Sequence, residues 1–249
     1  INTIFISILL LGVAFFQPSA NARYASIVID EQTGKVLHAS NPDRRRYPAS
    51  LTKMMTLYMV FDALERGKLK LNQRLKVSRR AQGMAPSKLG LRRGQTITVK
   101  DAILALITKS ANDVAVVVAE ALGKTEINFA KMMTAKAKSL GMRKTRFRNA
   151  SGLPNRRQIS TARDMAILAR HLIKDYPQFY HFFGTRRFSY KRRTYRNHNK
   201  LLRAYPGVDG IKTGYIRASG FNLVASTKRY GRRLIGVVFG GKSAKSRDR

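Results

Sequence analysis

Ser50 and Lys53 stand three residues apart at the head of an apolar run, in Pro48-Ala49-Ser50-Leu51-Thr52-Lys53. If both lie in the first turn of a helix, their side chains share a face and can meet. A serine hydroxyl is a poor nucleophile until a neighbouring base takes its proton. An amine serves as that base once burial and a nearby cation depress its pKa enough to leave it neutral. Lys212, in Val208-Asp209-Gly210-Ile211-Lys212-Thr213-Gly214, is the candidate cation. A helix N-terminus at Ser50 would add positive potential, favouring a developing alkoxide or oxyanion. Between these two islands, Ser110-Ala111-Asn112 offers a second hydroxyl and an amide. Each island has a bland alternative: Ser50 as a helix N-cap with Lys53 in solvent, and Ser110 and Asn112 as caps of the helix beginning near Asp113. On average residue usage an S-x-x-K arises about once by chance in a chain of this length, and K-T-G is rarer by about an order of magnitude. The weight therefore rests on all three occurring in this order.

That order, with Pro48-Ala49-Ser50-Leu51-Thr52-Lys53-Met54-Met55-Thr56, Ser110-Ala111-Asn112-Asp113, and Lys212 through Gly220-Phe221-Asn222-Leu223-Val224-Ala225-Ser226, resembles the low-molecular-mass D-alanyl-D-alanine carboxypeptidases among the penicillin-binding proteins. The similarity extends from about Tyr24 to Gly241. The resemblance implies a β-lactamase-like three-layer α/β/α fold and a serine acyl-transfer site. It implies Ser50 as nucleophile, Lys53 as base and Ser110 as a proton relay, with Asn112 bonding the substrate backbone. Lys212 and Thr213 would hold the terminal carboxylate of D-Ala-D-Ala, and Gly214 would leave room along the strand edge. The backbone amides of Ser50 and Tyr215 would form the oxyanion hole, and His198 would line the pocket, with a satisfied strand histidine as its alternative. The implied substrate is the peptidoglycan pentapeptide stem, with β-lactams as covalent inhibitors. A D,D-endopeptidase differs in substrate and not in catalytic residues. A non-catalytic basic envelope protein would need all three islands to be vestigial.

His38, His171, His181 and His198 are scattered and suggest no histidine triad, and no metal-ligand pair or phosphate loop is apparent, so no metal or other cofactor is expected. Asp209 reads as a turn residue before Lys212. The absence of cysteine excludes disulfides, thiolate zinc sites and a cysteine nucleophile. With 49 Lys plus Arg against 13 Asp plus Glu, the formal charge is +36. Such a charge suits a polyanion partner, whether nucleic acid, anionic envelope polymer or membrane surface, or else a merely solvated surface. Nucleic acid is disfavoured for an exported chain. Export is read from the apolar run Ile4 to Phe16, too short for the about 20 residues of a membrane span, followed by Ala20-Asn21-Ala22. Residues 1–22 are accordingly expected to be a signal peptide cut before Arg23, and the chain to work in the periplasm or cell envelope of a bacterium.

Beyond residue 22 the 249-residue sequence divides into a catalytic domain over 23–241 and a polar, basic tail over 242–249 expected to lack regular structure. Tyr24–Asp30 and Lys35–Ser40 flank Gly34 as a β-hairpin. Leu51, Met54, Met55, Tyr58, Phe61 and Leu64 recur at helical spacing up to Gly67, predicting a mostly buried helix. Thr98 with Asp101 resembles a capping box for a second helix, and Val114–Leu122 predicts a third, leaving Ser110-Ala111-Asn112 in the connection. Helices are predicted over about 126–140 and 161–175, the latter halted by Pro177. From Arg186 the pattern turns to strands, the first two an exposed basic pair. Strands at both ends and helices between them predict an α+β domain whose terminal strands share one antiparallel sheet.

Overall fold

The computed structural model describes residues 23–248, so the expected signal segment lies outside the described residues. Strands β1 (Ala25–Asp30) and β2 (Val36–Ser40) form the expected hairpin. A 3-10 turn at Ala49–Leu51 then runs into α1 (Thr52–Glu65). Every residue from Leu51 to Phe61 is buried, Lys53 among them, so this part of α1 is a central helix packed on all sides. A small sheet of β3 (Arg74–Lys76) and β4 (Thr96–Thr98), with α2 (Arg79–Gln82) between them, leads into α3 (Val99–Thr108). The Thr98 hydroxyl accepts the Asp101 N–H at 3.0 Å and so starts α3. Helices α4 (Asn112–Gly123), α5 (Glu126–Ser139) and α6 (Ala162–Asp175) follow. Pro177 ends α6 and opens the single turn α7 (Pro177–Tyr180), because proline suits a first helical position. The basic pair is β5 (Arg187–Tyr190) and β6 (Arg193–Arg196), with Phe188 buried and its arginines exposed. After the turn α8 (Leu201–Ala204), the chain closes with β7 (Val208–Ile216), β8 (Gly220–Arg229) and β9 (Arg232–Gly241).

The main sheet has the antiparallel order β2-β1-β9-β8-β7, so the first and last strands of the domain meet, as expected. Residues directly opposite each other across paired strands share a face. Ile27 lies opposite Val237, Val237 opposite Val224, and Val224 opposite Lys212. The sheet's apolar row thus ends on Lys212, which β7 carries into the interior. Helix α6 packs across β1 and β9, and the 3-10 turn carrying Ser50 packs against β7. The tail departs from expectation: Ala244–Asp248 forms a helical turn, α9, against β8 and β9. Arg247 anchors it, 6% exposed, with its guanidinium on the Asn222 carbonyl and the Asp248 carboxylate. Local polarity suggested an unstructured end, but the carbonyl that recruits Arg247 belongs to a strand distant in sequence.

Candidate active site

Ser50 lies in the 3-10 turn and Lys53 in the first turn of α1, which brings Lys53 Nζ to 3.3 Å from Ser50 Oγ. The amine is wholly buried. It also donates to Asn112 Oδ1 at 2.7 Å and to the Ser151 carbonyl. Burial drives the Lys53 pKa well below the usual lysine range and the positive charge of Lys212 lowers it further, with Asp113 opposing. A neutral amine has two protons and one lone pair. If Asn112 and Ser151 take the protons, the lone pair is left for the Ser50 hydroxyl.

The second wall starts at Ser110, whose φ of +58° turns the chain sharply between α3 and α4. Its hydroxyl is buried and has no hydrogen-bond partner, so its proton is uncommitted. Asn112 is the first residue of α4 rather than part of the connection. Its oxygen meets Lys53 and one amide proton goes to the Ala85 carbonyl at 2.9 Å, leaving the other for a bound peptide. Asp113 is wholly buried, and its carboxylate collects the N–H groups of Leu89, Gly90 and Leu91 at 2.9–3.1 Å. It thereby fastens the segment carrying Pro86 and Ser87, which line the same cleft as Ser50.

Strand β7 is the free edge of the sheet and supplies the third wall. Alternate amides of such an edge point away from the sheet and are available to a partner strand. Lys212 is 1% exposed and donates to the Thr213 carbonyl at 3.0 Å; burial, then Arg247, lowers its pKa to about 7. Gly214 faces the turn carrying Ser50 so closely that a β-carbon there would stand 3.0 Å from the Pro48 carbonyl and 3.1 Å from the Ser50 nitrogen. Gly152, at φ +87°, makes a similar approach, where a β-carbon would collide with the Ala49 carbonyl. Asn222 bonds the Tyr47 carbonyl at 3.0 Å and so ties β8 to the same turn.

These walls enclose a cleft of about 330 Å³ lined by Ser50, Ser110, Asn112, Thr213, Gly214, Tyr215 and His198, with Lys53 and Lys212 buried behind it. His198 sits between β6 and α8, so the alternative of a strand histidine falls away. Partial enclosure and the charges of Lys212, Lys109 and Lys53 push its pKa down to about 4, so it is neutral at pH 7 although open to the cleft. The other histidines lie elsewhere, His38 on Ser26 and His171 on Asp175. Asp209 binds Arg233 and the Tyr180 hydroxyl at the start of β7, a structural position.

Residues 13–243 match the D-alanyl-D-alanine carboxypeptidase family of peptidases. The carboxypeptidase DacF of Bacillus subtilis is 37% identical over 266 aligned residues, covering 100% of this chain and 67% of the relative. The chain belongs to the D-alanyl-D-alanine carboxypeptidase family. It spans 57–61% of several other curated carboxypeptidases it matches. Among solved structures, the carboxypeptidase DacD of Francisella tularensis aligns with a TM-score of 0.87 at 29% identity, over 99% of this chain and 71% of that one. Ampicillin-bound penicillin-binding protein D2 of Listeria monocytogenes aligns with a TM-score of 0.82 at 29% identity, over 90% and 91%. Both likenesses agree with the expected α+β, DD-peptidase-like fold.

The residues missing from the sequence reading are those that hold others. Asp113 was visible only as a neighbour of Asn112, although an acid inside an apolar helix signals a buried partner set. Ser151 acts through its carbonyl and Gly152 through its lack of a side chain, so neither advertises itself. Arg247 lines the cleft from a segment whose composition reads as solvated.

Proposed function

We propose that this chain is a serine D-Ala-D-Ala carboxypeptidase acting on peptidoglycan pentapeptide stems. The observation that carries the reading is the Lys53 amine, wholly buried between Ser50, Asn112 and Ser151 with Lys212 depressing its pKa. Ser50 Oγ attacks the carbonyl carbon of the penultimate D-Ala while its proton passes to neutral Lys53. The resulting oxyanion is met by the amides of Ser50 and Tyr215, donors of the kind typically worth about 3 kcal/mol each. Their proximity is supported by the close approach of Gly214 to the Ser50 nitrogen. The C–N bond then breaks, Lys53 returns the proton through Ser110 to the departing nitrogen, and D-Ala leaves as the free amino acid. Water, deprotonated by the same amine, hydrolyses the Ser50 ester. Lys212 and Thr213 hold the terminal carboxylate, and Arg247 on the same cleft adds charge to that end.

Mass spectrometry of a pentapeptide muropeptide is the test: loss of one terminal alanine is expected, abolished in Ser50→Ala. Cleavage of a crosslinked dimer with an untouched pentapeptide would instead make the chain a D,D-endopeptidase, and no cleavage of either would leave the basic-envelope-protein reading. A β-lactam should acylate Ser50, and a fluorescent penicillin reports that step directly. We further propose export to the bacterial envelope with Arg23 as the first mature residue, which N-terminal sequencing of exported protein checks. Among the described residues no helix is long and apolar enough to cross a membrane.

A further inference from the structure

The β8–β9 turn and the segment from α8 into β7 form one exposed surface at the end of β7 opposite Gly214. Residues 203–207 and 228–232 are all exposed, and neither stretch contains an acidic residue. They are joined by the Lys228 N–H on the Gly207 carbonyl at 2.9 Å. The Arg229 guanidinium also lies 5.9 Å from the Tyr205 ring centre and 5.6 Å from that of Tyr230. Tyr230, at the turn itself, is 94% exposed, and Tyr205 is 49% exposed. Arg232 has a carboxylate partner in Asp30 at 3.4 Å. Among the described residues, Arg203, Lys228 and Arg229 have none.

An aromatic ring left almost wholly in water among uncompensated cations fits a specific boundary. At the edge of a lipid bilayer a tyrosine places its ring at headgroup depth and keeps its hydroxyl hydrated, while Lys and Arg meet lipid phosphates. A linear polyanion is gripped along a groove or stripe, and stacking on a base or sugar needs a flat platform. Here the most exposed ring projects from a hairpin tip. We propose that this tip docks the domain on an anionic lipid bilayer, with Tyr230 at headgroup depth and Arg203, Lys228 and Arg229 against lipid phosphates. Strand β7 runs from the docked end, where Val208 pairs with Thr227, to Gly214 beside the nucleophile. That is about 20 Å of strand between the hairpin tip and Gly214.

The chain contains no tryptophan, so Tyr230→Trp introduces a single fluorescent reporter. With vesicles of phosphatidylglycerol its emission should shift to the blue and become shielded from an aqueous quencher, with no change for phosphatidylcholine. Ile127→Trp, at a site 69% exposed on α5, should stay silent with either vesicle. Lys228→Gln and Arg229→Gln should each weaken vesicle binding about fivefold. An equal response at position 127 would overturn the proposal in favour of non-specific adsorption by the basic surface. The same shift at position 230 with soluble polyphosphate would overturn it in favour of a linear polyanion, and no shift at 230 would overturn it outright. The proposal does not rest on the reaction assigned to the cleft, and penicillin labelling of each variant reports the fold separately.

Discussion

Lys53, the proposed base, differs from an ordinary surface lysine in its surroundings. In water an amine at pH 7 is protonated and cannot accept a proton, but here burial disfavours the charged form and Lys212 adds repulsion. Lys53→Ala should therefore slow acylation by a β-lactam about 10²- to 10⁴-fold with Ser50 intact, as measured by stopped-flow labelling. Near-normal labelling would remove Lys53 from the mechanism. Lys212 makes a separate prediction through pH. Its pKa is lowered to about 7, so in the free enzyme it loses its positive charge as pH rises through that value. For a D-Ala-D-Ala peptide with a free carboxylate, kcat/KM should rise from acid pH as Lys53 deprotonates, then fall above about pH 7. For the corresponding C-terminal amide the alkaline fall should be absent. Charge-assisted bonds to a carboxylate are worth about 1.5–3 kcal/mol, so Lys212→Gln should cost the free acid about 10- to 150-fold more than the amide. Equal losses would mean that Lys212 acts through the Lys53 pKa or the fold.

At the scale of elements, the site is a meeting of three ends: the start of α1, the start of α4, and the open edge of β7. Each was legible locally, because Ser50 heads an apolar helical run, a helix was readable over Val114–Leu122, and Gly214 enters a strand. How they are held together was not. Asp113 binds Leu89, Gly90 and Leu91 across more than 20 residues of sequence, and no periodicity encodes such a contact. Asp113→Ala would orphan those N–H groups around Leu91, itself 2% exposed. Gly90 is exposed and Leu89 half-buried, so the cost falls mainly on the buried Leu91 N–H, and at about 1–3 kcal/mol for an unsatisfied buried donor the loss in urea unfolding should be about that size. Penicillin acylation should fall with it, since Ser87 shares that segment and lines the cleft. Normal stability would show that water satisfies those donors and that Asp113 fastens nothing.

Across the whole molecule, 13 acidic residues cannot neutralise 49 basic ones. The acids are placed at junctions: Asp43 on Arg163, Glu126 on Arg80, Asp209 on Arg233. The surplus cations repel one another over distances that salt screens, the Debye length falling from about 30 Å at 0.01 M to about 8 Å at 0.15 M. Raising salt across that range should therefore raise Tm, by about 2–4 °C for each kcal/mol of repulsion relieved. A fall in Tm would mean that the screened ion pairs outweigh the net repulsion.

Sequence alone nominated the residues proposed for the chemistry, since hydroxyl, amine and amide groups at S-x-x-K, S-x-N and K-T-G have few other uses in that order. It also determined the α+β class and most helix starts, because capping and 3.6-residue periodicity act over a few residues. Tertiary structure decided whether the chemistry can run. The proposed role of Lys53 as a base depends on the burial of α1, and Lys212 comes near it because the register of β7 on β8 turns that side chain inward. The same register decided Arg247, whose polar segment is drawn onto the sheet by a carbonyl of β8. Desolvation and strand register depend on partners distant in the chain, and composition over a short window carries no record of them.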